Sequence, residues 1–339
     1  MIDNPVQPQV AWIAYDTKKR QLAAYYQLLI QRFYVRGQAV LAALSVNTLV
    51  DKSYRNFFWR DESGSLTSLF PTLANCSYDE AKVLGVSFIW IVPNEKSSEG
   101  FFQYLNFYEV QKLTLGIRPI NSSAIIQNHI TNPKIGRILG KLFELAKPVI
   151  LPNIFFSKEM IFRQMNVKDL DDAVSLAREA YHSSNFHQIR DMEYLHWRYF
   201  SSPRKYCMYG LYNKQEELLA WCVTAVIEKG NSSLGMYTTC MITDMCCKEN
   251  SKGLRFGRIL LKHLINLLAK DENISLILVL YNSLSPYKLL FKKRNFIVLP
   301  NKYALRKFPL GVKVFKTDIT KIVFDPRSWS VYFGDYDVV

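Results

Sequence analysis

The sequence predicts an α/β protein, of the α+β kind, built from two copies of one domain. Two stretches carry this prediction: "GVSFIWIVPNEKSSEGFFQYLNF" at 85–107 and "NISLILVLYNSLSPYKLLFKKRNF" at 273–296. Each has a β-rich run, an Asn-x-x-Ser sequence and a short helical pattern that ends in Asn-Phe. A chain of 339 residues has room for two domains, and the repeat is too long for a solenoid. We therefore expect duplicated domains, each on a mixed, largely antiparallel sheet.

The second copy shows a complete succession of elements. Strands are expected at 161–165, 205–212, 218–228, 236–247 and 274–281, and helices at 169–184, 192–200, 256–270 and 286–294. The first copy lacks a counterpart of the first strand and the two helices, and shows strands near 10–15, 21–35 and 38–50 and a helix at 66–83. The predicted boundaries are 1–118 for this truncated domain, 119–158 for a helical linker, 159–310 for the complete domain and 311–339 for a tail. The aromatic end of the tail suggests a strand that returns to a core.

The composition limits the partner and the compartment. The formal net charge is +14, from 43 Lys and Arg against 29 Asp and Glu, which favours nucleic acid, an anionic membrane surface or a phosphate-rich small molecule. The 49% hydrophobic content excludes overall disorder. Six cysteines have neither a CxxC pair nor a spacing to His that suits zinc, so we expect reduced thiols and no metal. With no visible signal peptide or integral membrane segment, a cytoplasmic protein is expected.

A basic, glycine-containing stretch precedes the longest helical pattern of the second copy. A helix N-terminus offers unpaired N–H donors and partial positive charge to an anion, and a glycine lets the backbone approach that anion closely. The stretch therefore predicts a phosphate cradle, and a solvated basic loop is the alternative. Its residues are Lys252, Gly253, Leu254, Arg255, Phe256, Gly257 and Arg258.

The order of elements around this stretch resembles the GNAT superfamily of N-acyltransferases, throughout 159–310 and more faintly over 8–118. In that family a basic-x-x-Gly-x-Gly turn holds the pyrophosphate of acetyl-CoA. Lys252 and Gly257 match the turn, whereas Arg255 replaces its middle glycine. The resemblance implies tandem GNAT-like domains and acetyl-CoA or another acyl-CoA as the donor.

The resemblance also assigns the rest of the donor site. A splayed strand would bind the pantetheine arm through its backbone, at Met245, Cys246 and Cys247. Asn282 and Ser285 occupy places that touch the CoA arm in the family, and helix capping is the alternative for them.

Two residues are candidates for proton transfer. Asp244 lies in the apolar run "MITDMCC", where burial favours the protonated form and would make its carboxylate a stronger base. An ion pair with a neighbouring arginine is the structural alternative. The family often has a tyrosine acid where this sequence has Phe291, so Tyr287, one helical turn earlier, is the candidate acid or else a core residue.

The segment "EYLHWRYFSSPRKY" (193–206) and the chain end resemble a two-domain GNAT-like subgroup of bacterial surface-polysaccharide and related enzymes. The resemblance implies an acceptor side formed by Trp197, Arg198, Asp335 and Asp337. A core position for Trp197, a snorkelling Arg198 and capping by the two aspartates are the alternatives. In the first copy an insertion containing Asp61 and Glu62 interrupts the turn. That copy is expected to be degenerate and to shape the acceptor groove.

These features predict an N-acyltransferase, and more narrowly an acetyltransferase, that transfers an acyl group from acyl-CoA to a small-molecule amine such as an amino sugar. Direct attack of the amine on the thioester is expected, aided by proximity. The second hypothesis is an aminoacyl or peptidyl transferase of the same fold, since the charge of +14 also suits tRNA. The third is a non-catalytic binding protein, because the usual tyrosine and middle glycine are missing.

Overall fold

The computed structural model describes residues 4–6, 10–60, 63–64, 66–121, 160–181, 184–228, 237–298 and 306–336. The chain forms two compact units. The first comprises Met1–Leu113, Ser184–Ile189 and Arg306–Ser330, and the second comprises Thr114–Ser183, Arg190–Leu305 and Val331–Val339. The expected linker helix falls in 122–159, outside the described residues.

The strands and helices follow the predicted pattern closely. The strands are β1 (Val10–Asp16), β2 (Gln21–Val35), β3 (Gln38–Val50), β4 (Phe58–Arg60), β5 (Leu66–Ser68), β6 (Phe88–Ile91), β7 (Tyr108–Lys112), β8 (Thr114–Pro119), β9 (Ile161–Gln164), β10 (Phe186–Gln188), β11 (Tyr206–Tyr212), β12 (Leu218–Ile227), β13 (Thr239–Cys247), β14 (Leu276–Tyr281), β15 (Ile297–Val298) and β16 (Pro309–Val314). The α-helices are α1 (Leu69–Val83), α2 (Glu95–Glu99), α3 (Leu170–Ala180), α4 (Met192–Leu195), α5 (Ser251–Leu268), α6 (Lys288–Lys292) and α7 (Thr320–Val323). Short π-helical turns follow α2 (Gly100–Tyr104) and α4 (His196–Phe200), and 3-10 turns lie at Lys52–Tyr54, Val167–Asp169, Thr317–Ile319, Pro326–Ser328 and Phe333–Asp335.

The sheet of the first unit has the strand order β1-β2-β3-β6-β16-β7, and β10 pairs with β2. β1, β2 and β3 are antiparallel, whereas β6 runs parallel to β3. On the face covered by α1, the hydroxyls of Tyr26 and Tyr78 lie 2.8 Å apart. On the other face, the Trp90 indole donates to the Gln31 side chain at 2.9 Å. Both faces of this sheet therefore carry buried, hydrogen-bonded aromatic side chains.

The sheet of the second unit has the order β15-β8-β14-β13-β12-β11-β9. All nine residues of β13 are buried, as expected for a strand covered on both faces. α3 and α4 pack against Trp221 and Cys246, while α5 and α6 pack on the opposite face against Cys222 and Met245. α5 turns one apolar stripe toward this core, formed by Leu260, Leu261, Leu264, Ile265 and Leu268.

Each sheet includes strands from the other part of the chain: β10 and β16 join the first sheet, and β8 joins the second. β8 follows the strands of the first unit but lies between β14 and β15 of the second. β16 follows the strands of the second unit but lies between β6 and β7 of the first. The predicted segment 1–118 therefore lacks β10 and β16 of its sheet, and the predicted segment 159–310 lacks β8.

The internal repeat corresponds to one supersecondary unit that occurs in both sheets. In each, a helix follows an antiparallel strand, a parallel strand comes next, and a short helix ends the unit: β3-α1-β6-α2 and β13-α5-β14-α6. The repeated asparagines Asn106 and Asn295 have φ angles of 54° and 55°, the left-handed conformation that stops a helix. The expectation of two copies on mixed sheets is confirmed.

Two segments differ from the predicted pattern. Between β3 and α1 the first unit carries the hairpin β4–β5, where the second unit has only 248–250 between its strand and helix. The aromatic end of the chain returns to a core as 3-10 turns, and the returning strand is β16. Close packing explains why residue 334 in the last of these turns is a glycine. A Cβ on Gly334 would lie 2.7 Å from the Thr243 carbonyl oxygen.

Candidate functional site

β13 and β14 separate before β13 ends. They pair in parallel only from Thr239 to Ile242 on β13, whereas β13 continues to Cys247. A shift in register at Thr243, opposite Val223 and Thr224 of β12, accompanies the separation. The backbone of 243–247 therefore has an edge that β14 does not cover. This is the geometry of the splayed strand that the resemblance implies.

The Tyr287 hydroxyl lies at this uncovered edge. It donates to the Cys247 carbonyl oxygen at 2.7 Å and accepts from the Cys247 amide at 3.0 Å. Burial raises the pKa of Tyr287 well above its usual value, so the phenol keeps its proton at neutral pH. Phe291 is also buried and packs on Tyr281 and Phe296.

The other residues assigned to the donor arm are buried or form turns. Met245, Cys246 and Cys247 are fully buried, and the Met245 amide donates to the Asp244 carboxylate at 2.8 Å. Asn282 accepts from the Leu284 amide at 2.8 Å, and the Ser285 hydroxyl accepts from the Tyr287 amide at 3.3 Å. Both side chains therefore stabilise the turn that leads from β14 to α6.

The helix behind the basic stretch begins at Ser251, earlier than the predicted 256. The Asn250 side chain accepts from the Gly253 amide at 2.8 Å, and the Asn250 carbonyl accepts from the Leu254 amide at 2.9 Å. The amides of Ser251 and Lys252 lie in the first turn of α5, where a backbone amide has no acceptor within the helix. An anion at this end would therefore meet Ser251 and Lys252 rather than the amides around Gly257.

The two glycines of the stretch are explained by close packing. A Cβ on Gly253 would clash with the Lys248 carbonyl oxygen. A Cβ on Gly257 would lie 2.9 Å from the Cys247 sulfur and 3.0 Å from Leu290, inside the core. Gly257 therefore lets α5 approach β13 and α6, and our expectation that it opens the backbone to a phosphate needs this correction.

The side chains of the stretch divide between solvent and core. Lys252 and Arg255 are exposed, and the Lys252 ammonium lies 6.0 Å from the centre of the Phe256 ring. Leu254 and Phe256 pack partly against the core of the second unit. Arg258 is half-buried, one residue beyond Gly257. The exposed cations are thus placed near the first turn of α5.

A cavity of about 490 Å³ lies beside the first turn of α5. Its acidic residues come from α3 and from Glu217 just before β12, and its basic residues are Lys248 after β13 and Lys252 in the first turn of α5. Glu179 and Lys248 form an ion pair of 2.5 Å at the cavity wall. The lining residues are Asp172, Ser175, Leu176, Glu179, Glu217, Leu218, Leu219, Lys248, Asn250, Lys252, Gly253 and Phe256. The cavity wall therefore carries both signs of charge, with Lys248 and Lys252 on the side of α5 and the carboxylates on the side of α3 and β12.

Asp244 belongs to a buried ion network. Arg190 donates to both Asp244 carboxylate oxygens, at 2.9 and 3.1 Å, and to Asp335 at 2.8 Å. The Tyr199 hydroxyl donates to Asp244 at 2.9 Å, and all four side chains are almost entirely buried. A carboxylate that accepts this many hydrogen bonds is held as an ion-pair partner. Both Asp244 oxygens accept hydrogen bonds from these partners, so the geometry fits the structural alternative, an ion pair with an arginine, rather than the expected base.

The residues expected on the acceptor side lie in different environments. Trp197 is partly buried beside Tyr194, and Arg198 donates to the Gly334 carbonyl oxygen at 2.7 Å. Asp335 is an interior residue, since its second oxygen accepts from the Tyr332 amide at 2.7 Å. Burial raises the pKa of Asp335, the Arg190 guanidinium lowers it, and the Asp244 carboxylate raises it again. Asp337 lies outside the described residues.

Two members of this network, Arg190 and Tyr199, were not predicted from the sequence. Arg190 and Tyr199 lie 54 and 45 residues from Asp244, and no local spacing connects them. The one available signal is an aspartate within an apolar strand, which requires a cationic partner somewhere in the chain.

Metal ligands and membrane-spanning helices can be assessed only in the part of the chain that the structure describes. The described residues contain no group of three His, Cys, Asp or Glu side chains arranged to hold a metal ion. None of the helices in this part of the chain is both long and apolar enough to cross a membrane. All six cysteines are free, and Cys222, Cys240, Cys246 and Cys247 are buried.

Comparison with known proteins identifies the fold. No protein-family model matches the sequence, and no curated protein matches it. Among solved structures, Saccharomyces cerevisiae N-myristoyltransferase with bound myristoyl-CoA matches with a TM-score of 0.59 and 13% identity, over 88% of this chain and 65% of the yeast chain. A GCN5-related N-acetyltransferase from Anabaena variabilis matches with a TM-score of 0.55 and 10% identity, over 90% of this chain and 62% of the other.

A third similar structure is an Enterococcus faecalis protein described as a probable N-acyltransferase. Its TM-score is 0.52 at 10% identity, over 88% of this chain and 60% of that one. The chain thus spans under two thirds of the length of each of these three proteins. At these identities the similarity establishes the fold alone, which is the one seen in N-myristoyltransferase and in the GCN5-related N-acetyltransferase.

Proposed function

We propose that this chain, which has the fold of the tandem GNAT-type N-acyltransferases, transfers an acyl group from an acyl-CoA to an amine. The observation that carries the proposal is the uncovered edge of β13, between Ile242 and Cys247, which leads to the start of α5. An unpaired strand edge can bind an extended, amide-containing arm by backbone hydrogen bonds. A helix start with nearby cations can bind the attached phosphates.

In this proposal the pantetheine arm lies along Met245 and Cys247. One amide of the arm takes over a hydrogen bond that Tyr287 makes to the Cys247 backbone. The pyrophosphate meets the first amides of α5, with Lys252 and Arg255 exposed beside it. The buried Cys246 contributes packing below the arm.

The reaction needs few protein groups. The nitrogen of a neutral amine attacks the thioester carbonyl, the new C–N bond forms, and the C–S bond breaks. Tyr287 donates its proton to the departing sulfur, and the proton lost by the amine returns to the phenolate through water. Since the Tyr287 pKa is raised by burial, the phenol is protonated when the sulfur leaves. Proximity of donor and acceptor supplies much of the rate acceleration.

An acetyl group and an amino sugar are the donor and acceptor that we propose first. The sequence resemblance around 193–206 supports them, with Trp197 and Arg198 on the acceptor side. Asp335 is left out of acceptor binding because it is buried and ion-paired.

The test is a thiol-release assay with acetyl-CoA and longer acyl-CoAs against amino sugars and simple amines. Amine-dependent release of CoA, with an amide product identified by mass spectrometry, is the expected result. CoA binding without turnover on any amine would favour a non-catalytic binding protein. Absence of CoA binding by calorimetry, together with binding of aminoacyl-tRNA, would favour the aminoacyl or peptidyl transferase.

A further inference from the structure

A cluster of arginines lies on the α5–α6 side of the second unit, away from the first turn of α5. Arg118 comes from β8, Arg258 from the second turn of α5, and Arg294 from the residues after α6. The Arg118 guanidinium donates to the Arg294 carbonyl oxygen, and the Arg294 guanidinium donates to the Arg258 carbonyl oxygen at 2.9 Å. Three positive side chains are thereby linked through carbonyl groups of the same cluster.

The first unit shows which part of this cluster is structural. There Lys313 of β16 donates to the Leu105 carbonyl oxygen at 2.7 Å, just as Arg118 of β8 donates to that of Arg294. Leu105 and Arg294 each precede an Asn-Phe pair of the repeat. A cation from the exchanged strand therefore caps the short helix in both units. Arg294 adds a positive charge that the first unit lacks, because the equivalent residue there is Leu105.

The charges of the cluster repel one another. Arg118 is 7% exposed, and its buried Nε has no hydrogen-bond partner in the described part of the chain. Burial and the neighbouring Arg294 lower the pKa of Arg118 to about 10, and burial and Arg258 lower that of Arg294. No ion pair joins any of the three arginines to a carboxylate among the described residues. Such a group of cations is stabilised when an anion binds.

The two outer arginines can reach a ligand. Arg258 and Arg294 are only partly buried, and planar guanidinium groups suit the oxygens of a phosphate. Arg258 follows Ser251 by seven residues, which is about 10 Å along a helix. A second phosphate of the same donor molecule can lie at such a distance from a pyrophosphate at the helix start.

We propose that Arg258 and Arg294 bind the 3′-phosphate of the CoA nucleotide, with Arg118 contributing positive charge from behind. The assignment rests on the proposed function. It gives this chain a preference for the phosphorylated nucleotide end of CoA, separate from the recognition of its pyrophosphate and thioester.

The test compares CoA with 3′-dephospho-CoA by calorimetry on the full chain. The parent should bind CoA at least about tenfold more tightly than dephospho-CoA, as expected for one or two charge-assisted contacts. Arg258→Met and Arg294→Met should lose most of that preference and bind dephospho-CoA like the parent. Lys270→Met, which removes an exposed cation beyond the end of α5, should keep the parent's preference.

Other outcomes overturn the assignment. Equal affinity of the parent for both nucleotides, or equal loss of both in the arginine variants, would show that the cluster does not read the 3′-phosphate. Stabilisation by inorganic phosphate that CoA fails to displace would indicate a site for free phosphate instead. If the parent binds neither nucleotide, the acyl-CoA proposal fails together with this one. Circular dichroism of Arg258→Met should match that of the parent, because its side chain makes none of the carbonyl contacts described above.

Discussion

The Tyr287 hydroxyl forms hydrogen bonds with both the amide and the carbonyl of Cys247. It thereby occupies the end of the strand edge that an acyl-CoA arm would need. In the proposed reaction, binding of the acyl-CoA arm displaces the Tyr287 hydroxyl from the Cys247 backbone. The phenol then has its proton available for the sulfur of the leaving group.

Tyr287→Phe removes the proposed acid without removing the ring from the core. We expect kcat to fall by roughly 10²-fold or more, while CoA affinity stays equal or rises because the Cys247 amide is free. Thiol release and calorimetric CoA titration measure the two effects. Tyr281→Phe, which removes a hydroxyl from the neighbouring strand, should leave kcat unchanged. A Tyr287→Phe protein with parental kcat would exclude Tyr287 as the acid.

Arg190→Met removes the cation that two buried carboxylates share. We expect a loss of about 3–5 kcal/mol in the free energy of unfolding, because Asp244 and Asp335 are left buried without their partner. Urea unfolding of the full chain measures it. Arg163→Met, which breaks the partly exposed pair with Asp169, should cost about 1 kcal/mol or less. Similar losses in both variants would contradict the network's structural role.

Asp335 predicts a pH dependence of stability. Burial raises its pKa to about 7 in the folded protein, whereas an unfolded Asp loses its proton near pH 4. Between these values the folded state binds more protons, so this group's contribution to stability falls as pH rises. Asp335→Asn should lack that fall, and the difference between parent and variant in urea unfolding at pH 5 and pH 7.5 isolates it. An identical pH dependence in both proteins would contradict the raised pKa.

Gly257→Val tests the packing of α5 against β13. The added methyl groups meet the Cys247 sulfur and Leu290, so thermal stability should fall by an amount equivalent to about 1–3 kcal/mol before any ligand is added. Arg255→Ala, at an exposed position, should leave stability unchanged and weaken CoA binding about tenfold. If the Gly257→Val protein is as stable as the parent but no longer binds CoA, Gly257 does let the backbone approach a phosphate, as first expected.

Much of the fold follows from local sequence patterns. The β-rich runs of β2 and β3, the apolar stripe of α5 and the Asn-Phe helix ends are each visible within a few consecutive residues. The start of α5 predicted from the basic stretch, at 256, lies within two helical turns of the observed start at Ser251. These features depend on backbone geometry and on burial of one face, which short segments determine.

The strand exchange and the ion network depend on distant partners instead. β8 and β16 share the pattern Leu-Gly-Ile/Val-Arg/Lys, at 115–118 and 310–313, which marks them as equivalent strands. The pattern does not say which sheet each one joins, because both sheets offer a similar gap between two strands. Asp244 was likewise recognisable as unusual, but its partner Arg190 comes from a different element.

The exchange of β8 and β16 also sets the order in which the protein can be completed during translation. β7 ends at Lys112, yet its neighbour β16 begins at Pro309. Since synthesis proceeds from the N-terminus, β6 lacks a neighbour on one side and β7 has no strand to pair with until nearly the whole chain has been made. In the second sheet, by contrast, β8 has already been synthesised when its neighbour β14 is made. A chain truncated before Pro309 therefore lacks the central pairing strand β16 of the first sheet, although most of that sheet is synthesised first. The unpaired strand edges of β6 and β7 can then pair with strands of other nascent chains.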